Sequence, residues 1–448
     1  MLVLLVASLL VFLLVWFNQI VLAFIFSVAF AFLSPTIKYG NFEVALLFFL
    51  GFFLPLFPDQ GLLIYGRILN WYDVILLLFF VSLMARPLSR ETLSRMDSIS
   101  QASLLFLAVL LVLAFMSQDR LISIRDWVSY AVNFLLVWFV MLRLSEAHYQ
   151  RFLYCITAST LIVTLVGLIQ RLSGFQFAST ADGEVSIRLG VPATLGDSLV
   201  LSMYGAMMTV YHGLALIRAR NDLERFWFGL GLLASLFCIR LSLSRNGILM
   251  VAVVVGVLFL LRFGTWILSR RNAVKIPIVL IFVPMLAYGS LFIMPQDVYN
   301  RITSIFYLFS GSPDPVIAYN IRSTLGRLEN YREALRLFVN NPVSGIGLGL
   351  YPHLTKFEDA DGFYPGLAAE TGLVGIFGYF IFWIAVWIQL LRARQQAHEF
   401  WDKLQVELVI ALFLAMSLVS FFEPIFKLQV MSFYFFFLLR QNICKASA

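Results

Sequence analysis

The sequence predicts an all-α polytopic membrane protein with about 12–14 transmembrane helices. Hydrophobic residues make up 61% of the 448 residues, and charged residues only 13%. The apolar residues come in repeated blocks of roughly 15 to 22 residues, the length that a helix needs to cross a bilayer. Only one stretch, of about seventy residues, interrupts these blocks for long, and such a long connection in a compact membrane domain is usually functional.

About fourteen blocks are predicted as spans, although the first two can form one broken hairpin. The blocks cover 2–17, 20–33, 42–57, 68–85, 100–116, 125–142, 150–170, 195–216, 226–243, 246–263, 274–293, 366–391, 404–421 and 426–440. The first block lacks both a preceding basic region and a following small-residue cleavage site, so we expect an uncleaved span rather than a removed signal peptide.

The chain divides into four parts by the placement of the spans and the longer loops. These parts are N-terminal spans at 1–170, central spans at 171–293 that include a first outer loop at 171–194, a large outer loop at 294–365, and C-terminal spans at 366–448. We find neither an internal repeat nor a low-complexity tract. The sequence therefore indicates one membrane domain with a single large loop.

The distribution of Lys and Arg predicts that both termini are cytoplasmic, because basic residues in short loops are retained on that side. With the N-terminus inside, the inner loops carry Arg86, Arg90, Arg95, Arg143, Arg151, Arg218, Arg220, Arg225, Arg270, Arg271, Lys275, Arg392, Arg394, Lys403, Arg440 and Lys445. The net charge of +7 is then mostly a matter of topology, and we expect no nucleic-acid partner. We predict a multi-pass protein of the bacterial inner membrane.

Cysteine and histidine do not form a predicted metal site. The three cysteines, Cys155, Cys238 and Cys444, lie in different segments without ligand spacing, and the four histidines are equally scattered. We therefore expect neither a metal nor another cofactor. Of the histidines, only His353 falls on the outer side of the predicted topology, which makes it a candidate catalytic group.

The large outer loop contains a predicted amphipathic helix at 324–340. Ser323 or Thr324 can cap its start, and Asn340-Asn341-Pro342 stops it. Its apolar side carries Leu328, Tyr331, Leu335, Phe338 and Val339. Its polar side carries Glu329, Arg332, Glu333 and Arg336. We expect the helix to lie flat over the bundle with its apolar side down.

The arginines of this helix are predicted to differ. Arg332 and Arg336 each have a glutamate three residues earlier, a spacing that forms ion pairs on a helix surface. Arg327 has no such acid, so we expect its guanidinium to be free to bind a phosphate near the membrane. The alternative is that Arg327 merely snorkels along the apolar edge.

A short turn between two predicted spans also carries arginines. Arg245 lies in the turn and Arg240 about one helical turn deeper, where an ionisable residue is a functional candidate by default. The alternative for both residues is to anchor a span at the headgroups.

Two features follow the loop helix along the chain. Alternating glycines at 345–349 allow either a plain turn or a backbone nest for an anion. Asp361 and Glu370 stand where the chain re-enters the membrane, and either carboxylate can serve as a general base. Glu370 can instead interact favourably with a helix N-terminus.

Three sequence stretches together resemble the O-antigen ligase and polymerase family. They are SLSRNG at 242–247, RLENYREALRLFVNNPVSGIGLGLY at 327–351 and FYPGLAAETGLVG at 363–375. Members of that family show an SR turn, an R-x-x-x-W helix followed by P-x-x-G-x-G, and a re-entry with H-N-x-Y-L-x-x-x-x-E-x-G. The stretch from Arg188 to Asp197 is similar to the R-x-x-G segment of the family.

The resemblance implies a GT-C-like membrane glycosyltransferase that is inverting and metal-independent. The donor it implies is a glycan on undecaprenyl pyrophosphate. The enzyme would lie in the lipid bilayer and act on the periplasmic face of the inner membrane. A chain-length regulator is a candidate partner. Such a reaction needs cations at the leaving pyrophosphate and a base at the acceptor hydroxyl. Arg245 and Arg327 fit the first role, with Arg188, Arg322 and Arg240 as further candidates.

The sequence departs from the family pattern at its expected catalytic histidine. Aligned on Glu370, the chain has Asp361 and Gly362 where ligases carry His-Asn, and Tyr331 where they carry Trp. Either Asp361 acts as the base, or His353 moves in, or the reaction does not need that histidine. Because the polymerases vary more at this site, we favour repeat-unit polymerisation over ligation to lipid A-core or protein.

Two functions without catalysis stay open as alternatives. The chain can be a transporter or flippase for a lipid-linked glycan, whose arginines hold the pyrophosphate during passage. Transporters of this kind often show inverted repeats, and we find none in the sequence. The chain can also be an inactive relative that serves as a scaffold in glycan assembly.

Overall fold

The structure is a computed structural model, and it describes a little over half of the chain. The described residues are 52, 55–56, 61–64, 67–70, 98–143, 146–173, 193, 195, 198–242, 244–267, 315–357, 359–423, 431–432 and 434–439. The spans predicted at 2–17, 20–33 and 274–293 lie outside the described residues, as do most of 42–57 and 68–85. The candidate residue Arg188 lies outside them as well.

The described part of the chain is almost entirely helical. Its helices are α1 (Ser98–Met116), α2 (Arg120–Arg143), α3 (Glu146–Ser173), α4 (Ser198–Arg218), α5 (Asp222–Ser242), α6 (Arg245–Ile267), α7 (Pro315–Asn340), α8 (Tyr351–Leu354), α9 (Phe363–Gln396) and α10 (Phe400–Val419). A short antiparallel hairpin, β1 (Gly61–Ile64) and β2 (Arg67–Asn70), precedes them. This hairpin overlaps the start of the block predicted as a span at 68–85.

Six helices within the described residues are long and apolar enough to cross a membrane. They are Ser98–Met116, Phe152–Ser173, Ser198–Arg218, Asp222–Ser242, Arg245–Arg262 and Phe363–Gln396. Each lies within a few residues of a block that the sequence predicts as a span. The protein is therefore an all-α polytopic membrane protein, as predicted.

Aromatic rings hold together the helices that form the core. The Phe134 ring of α2 meets the rings of Phe106, Phe382 and Phe436 edge-on, at centroid separations of 5.3, 5.1 and 5.8 Å. Such pairs each contribute about 0.5–1.5 kcal/mol beyond the burial of their area. Because Phe106 belongs to α1 and Phe382 to α9, this cluster joins three helices around one point.

Helix α9 is broken near its start, at Gly372. This residue has φ 62° and ψ −159°, which a glycine adopts at no steric cost. The break removes the helical bonds in which the amides of residues 373 and 374 would reach the carbonyls of 369 and 370. Four backbone polar groups in the protein interior therefore need new partners.

The glycine-rich segment that follows α7 supplies all four partners. The amides of Ile346 and Gly347 donate to the carbonyls of Ala369 and Glu370, both at 2.9 Å. The amides of Leu373 and Val374 donate to the carbonyls of Pro342 and Val343, at 2.8 and 3.2 Å. Residues 342–347 are thus inserted into the broken helix and fix the end of α7 against the bundle.

Helix α7 differs from its prediction in length and orientation. It ends at Asn340 as predicted, but it begins at Pro315, so Thr324 lies inside the helix rather than at its cap. Proline fits the first turn of a helix because its missing amide hydrogen is not needed there. The start predicted at 324 is therefore wrong.

The side of α7 predicted to face the bundle is also wrong. The buried residues of α7 are Ile321, Asn330, Ala334 and Leu337, whereas Leu328 and Leu335 are 51% and 60% exposed. Ala334 and Leu337 pack with Tyr351, Ala360 and Ala369. Apolar side chains of a membrane protein are stable against lipid as well as against protein, so apolarity alone does not mark the buried side.

We predict that Gly345→Ala destabilises the inserted segment. Gly345 has φ 68°, and an added Cβ would lie 2.3 Å from the carbonyl carbon of Glu370. The thermal unfolding temperature of the purified protein in detergent should fall by several degrees, because left-handed strain alone costs about 1–2 kcal/mol.

Gly326→Ala in α7 is the matched control. A Cβ there meets no atom within 4 Å, and alanine favours a helix interior by roughly 0.5–1 kcal/mol. This variant should be neutral or slightly stabilised. Equal unfolding temperatures for the two variants would show that the insertion does not constrain the fold.

Candidate functional site

The turn that follows α10, residues 420–423, joins three other parts of the chain at one end of the bundle. The carbonyl of Ser420 accepts a hydrogen bond from the Phe363 amide at 2.7 Å, at the start of α9. The carbonyl of Phe421 accepts the Tyr331 hydroxyl of α7 at 2.8 Å. Tyr331 stands where the resembled ligases carry Trp, and its hydroxyl here anchors the loop helix to this turn.

Arg327 is not free, contrary to the prediction. Its guanidinium donates to Glu423 Oε1 at 2.9 Å, and the Asn246 side-chain amide donates to the same oxygen at 3.0 Å. Glu423 and Asn246 are each only 8% exposed. Sequence reasoning considered acids on the same helix, whereas the partner lies 96 residues away along the chain. Arg327 is therefore oriented by a buried carboxylate.

Asp361 lies next to this ion pair. It interacts electrostatically with Arg327, and the neighbouring Asn330 side chain favours its ionised form. Burial raises the pKa of Asp361 above its ordinary value, although the Arg327 cation opposes that rise. Asn330 is 4% exposed and is itself held by the Tyr351 hydroxyl and the Asp359 carbonyl. We call Arg327, Glu423, Asn246, Asp361 and Asn330 the Arg327 cluster.

Arg245 lies beside the cluster, because it is the first residue of α6 and precedes Asn246. The Ser244 hydroxyl accepts the Asn246 amide at 3.3 Å and so caps the helix. Gly247 allows this end of α6 to approach α4, since a Cβ there would lie 2.5 Å from the Ser202 carbonyl oxygen. The serine and glycine of the SRNG turn thus place Arg245 and Asn246, and the side chain of Arg245 is half-buried.

The other arginine candidates are not brought to the cluster by any described contact. Arg240 lies in the last turn of α5 with an exposed side chain. Arg322 belongs to α7, one and a half turns before Arg327, and its side chain lies outside what the structure describes. Arg188 lies outside the described residues altogether. Their pyrophosphate-binding roles stay predictions.

Of the two other candidate catalytic residues, His353 is exposed and Glu370 is buried. His353 is exposed on the short helix α8, and within the described residues no hydrogen bond or ion pair joins its side chain to the Arg327 cluster. Glu370 is 1% exposed inside α9, and its backbone carbonyl accepts a hydrogen bond from the Gly347 amide. In this conformation a substrate hydroxyl cannot reach Glu370. Asp361 is the carboxylate whose position best suits a general base.

The other acids of α7 pair partly as predicted. Arg336 bonds to Glu333 through two nitrogens, at 2.9 and 2.5 Å, which confirms that pair. Glu329 is bonded to Lys356 at 2.6 Å instead of to Arg332. All these groups are exposed or nearly so, and pairs in such surroundings contribute little to stability.

The geometry favours the turn over the anion nest for the glycines at 345–349. The amides of Gly345, Ile346 and Gly347 donate to the carbonyls of Asn341, Ala369 and Glu370. Amides engaged in this way have no hydrogen left for a phosphate oxygen. The glycines serve the close approach to α9.

Sequence reasoning missed Glu423, Asn330 and the part played by Asn246. Glu423 stands in Phe421-Phe422-Glu423-Pro424, an acid between two aromatic residues and a proline at the end of a predicted span. Ionisable residues at such a place are rare and default to a functional hypothesis, so this signal was available. Asn330 carried none, because an asparagine on a loop helix is ordinary.

Within the part of the chain that the structure describes, no group of three or more His, Cys, Asp or Glu side chains is arranged to hold a metal ion. Metal-independent chemistry stays a prediction. The Arg327 cluster consists of one guanidinium, two carboxylates and two amides, a set suited to binding and orienting an oxyanion and to accepting a proton.

The fold and the site define a helical, multi-pass membrane protein with a cation and carboxylate cluster at one end of its bundle. Residues 230–380 match the model of the family described as O-antigen ligase. This match confirms the predicted resemblance to the O-antigen ligase and polymerase family over that part of the chain. The search of curated proteins found no match. The matched region contains Arg245, Arg327, Asp361 and Glu370, whereas Glu423 lies beyond it.

We predict that Arg327 and Glu423 are energetically coupled. Arg327→Gln should lower the unfolding temperature in detergent, because it leaves the Glu423 carboxylate buried without its cation. Adding Glu423→Gln should restore part of the loss, with a coupling of about 1–2 kcal/mol in a double-mutant cycle.

The control for this cycle is the exposed pair Arg336 and Glu333. Arg336→Gln and Glu333→Gln should be additive in their effects, because water screens that pair. Additivity at Arg327 and Glu423 as well would contradict the role assigned to their contact.

Proposed function

We propose that this protein is an inverting glycosyltransferase of the O-antigen polymerase and ligase type. It transfers a glycan from undecaprenyl pyrophosphate to an acceptor hydroxyl on the periplasmic face of the inner membrane, with both chain termini in the cytoplasm. The reaction we favour is polymerisation of repeat units. The observation that carries the proposal is the Arg327 cluster, in which an oriented guanidinium lies beside a half-buried carboxylate of raised pKa.

Asp361 is the general base in this proposal. Its carboxylate takes the proton of the acceptor hydroxyl, and the acceptor oxygen forms a bond to the anomeric carbon of the donor. A base is most effective when its pKa lies near the working pH, and burial moves the pKa of Asp361 in that direction. The Arg327 cation and the neighbouring Asn330 side chain favour the ionised form of this carboxyl group, which is the form that accepts a proton.

Arg327 and Arg245 bind the leaving group. As the bond between the anomeric carbon and the pyrophosphate oxygen breaks, its electron pair goes to that oxygen, and the developing charge is stabilised by guanidinium groups. Arg327 gives only part of its donors to Glu423, since a guanidinium carries five N–H groups in a fixed fork. Glu423 therefore orients Arg327 and leaves donors for the pyrophosphate.

The residue at the family's histidine position supports polymerase over ligase. Ligases of the resembled family carry His-Asn there, whereas this chain has Asp361 and Gly362. Gly362 has φ 90°, and a Cβ there would lie 2.2 Å from the Phe421 carbonyl oxygen. The asparagine of the ligases would not fit this backbone. The chain therefore differs from the ligases in the backbone at Gly362 as well as in the side chain at Asp361.

We predict that Arg327→Ala and Arg245→Ala each reduce glycan extension by at least about 100-fold, the usual effect of removing one group that stabilises a developing oxyanion. The assay follows elongation of a lipid-pyrophosphate oligosaccharide by purified protein in detergent. Arg336→Ala, which removes an exposed arginine of the same helix, should retain activity. Full extension by both Arg327→Ala and Arg245→Ala would refute the proposal.

The same assay separates the enzyme from a transporter. A transporter needs a membrane to move its cargo across, whereas the polymerase needs only its substrates. Absence of product from the unaltered protein, under conditions in which a known polymerase elongates the same substrate, would favour transport of the lipid-linked glycan.

We predict that the pH dependence of extension identifies the base. Below the pKa of Asp361 the carboxyl group is protonated and cannot accept a proton, so the rate should rise about tenfold per pH unit and then level off. The change of slope should lie above the ordinary aspartate pKa of about 4. Asp361→Asn should abolish extension, and Asp361→Glu should move the change of slope.

His353→Gln is the control for this profile. If Asp361 is the base, the variant should keep the profile of the unaltered protein. If the acidic limb of the profile disappears in His353→Gln and persists in Asp361→Asn, the base is His353.

A further inference from the structure

A polar cavity of about 370 Å³ lies at the end of α9 remote from the Arg327 cluster. Helix α9 starts at Phe363 beside the cluster and ends at Gln396, and its unbroken part after Gly372 alone spans roughly 35 Å at 1.5 Å per residue. The cavity lies at the connection between α9 and α10, and its lining residues are Leu391, Arg394, Gln395, Ala397, His398 and Lys403.

The lining is basic and contains no acid. Arg394 and Lys403 carry positive charges, and His398 adds a polar imidazole. The two acids of α10 nearest to the cavity are already paired with arginines. Asp402 pairs with Arg218 at 3.2 Å, and Glu407 contacts both Arg394 and Arg262. Glu399, in the connection itself, is exposed and does not line the cavity.

Arg394 is held in place for binding. Its Nε donates to Glu407 Oε1 at 3.0 Å, and Glu407 is 1% exposed. The second partner of Glu407, Arg262, lies 2.5 Å from its other oxygen and 4.6 Å above the Phe400 ring. With Nε engaged, the terminal nitrogens of Arg394 are the part of the guanidinium that can point to a ligand.

The residues around the cavity are typical of the boundary between membrane and water. Phe400 and Trp401, which begin α10, are 59% and 55% exposed. They follow the end of the membrane-spanning helix α9, and exposed aromatic residues at such a place are typical of the boundary between membrane and water. Basic pockets between helices at that depth are suited to anionic lipid headgroups.

We propose that this cavity binds the phosphodiester of an anionic glycerophospholipid headgroup. The guanidinium of Arg394 and the ammonium of Lys403 contact the phosphate oxygens, and His398 and Gln395 border the polar headgroup. The acyl chains lie along the exposed apolar surface of α9. This site is independent of the Arg327 cluster and of the reaction proposed for it.

The test measures lipid retained by the full-length protein in native mass spectrometry. We expect phosphatidylglycerol to be retained in preference to phosphatidylcholine. Lys403→Gln and His398→Gln should weaken phosphatidylglycerol binding, the former roughly fivefold, since one basic residue near the surface contributes about that factor. Both positions are exposed, so the unfolding temperature without lipid should not change.

Arg392→Gln is the matched control, because it removes the same charge from an exposed residue two positions before Arg394 that does not line the cavity. It should bind phosphatidylglycerol as the unaltered protein does. An equal loss in Arg392→Gln, or retention of both lipids alike, would overturn the proposal. So would displacement of the lipid by millimolar inorganic phosphate, which would assign the cavity to a free anion.

Discussion

The break in α9 at Gly372 is the constraint on which the end of the structure that holds the Arg327 cluster depends. It leaves two carbonyls and two amides without helical partners, and residues 342–347 satisfy all four. This insertion fixes the end of α7 against the bundle. Because α7 is rigid, the placement of its last turn also sets the position of Arg327, almost four turns earlier. The candidate site is therefore built on a set of backbone hydrogen bonds.

The glycines of the two motifs have a common explanation in this insertion. Gly345 and Gly372 face each other across the junction, since a Cβ on Gly372 would lie 2.7 Å from the Gly345 amide. A side chain at either position would push the two backbones apart. The P-x-x-G-x-G and E-x-G patterns are thus two halves of one structural element, and Glu370 is buried beside the junction.

The turn after α10, residues 420–423, is the second feature that positions the site. It contacts α7 through the Phe421 carbonyl and the Glu423 carboxylate, and α9 through the Ser420 carbonyl. A carboxylate this buried is costly unless it is paired, and Arg327 and Asn246 together satisfy it. Their shared contact with one oxygen joins α6, α7 and this turn. The orientation of the Arg327 guanidinium is therefore set by the fold itself.

The sequence by itself determined the membrane class, the six membrane-spanning helices within the described residues to within a few positions, and the motifs that contain Arg245, Arg327, Asp361 and Glu370. Apolar block length and local spacing encode these features directly. Only the tertiary structure decided which side of α7 is buried, that Glu423 is the partner of Arg327, and that Glu370 is inaccessible. These depend on contacts between residues far apart in the chain, and in a membrane protein an apolar side chain faces lipid as readily as protein.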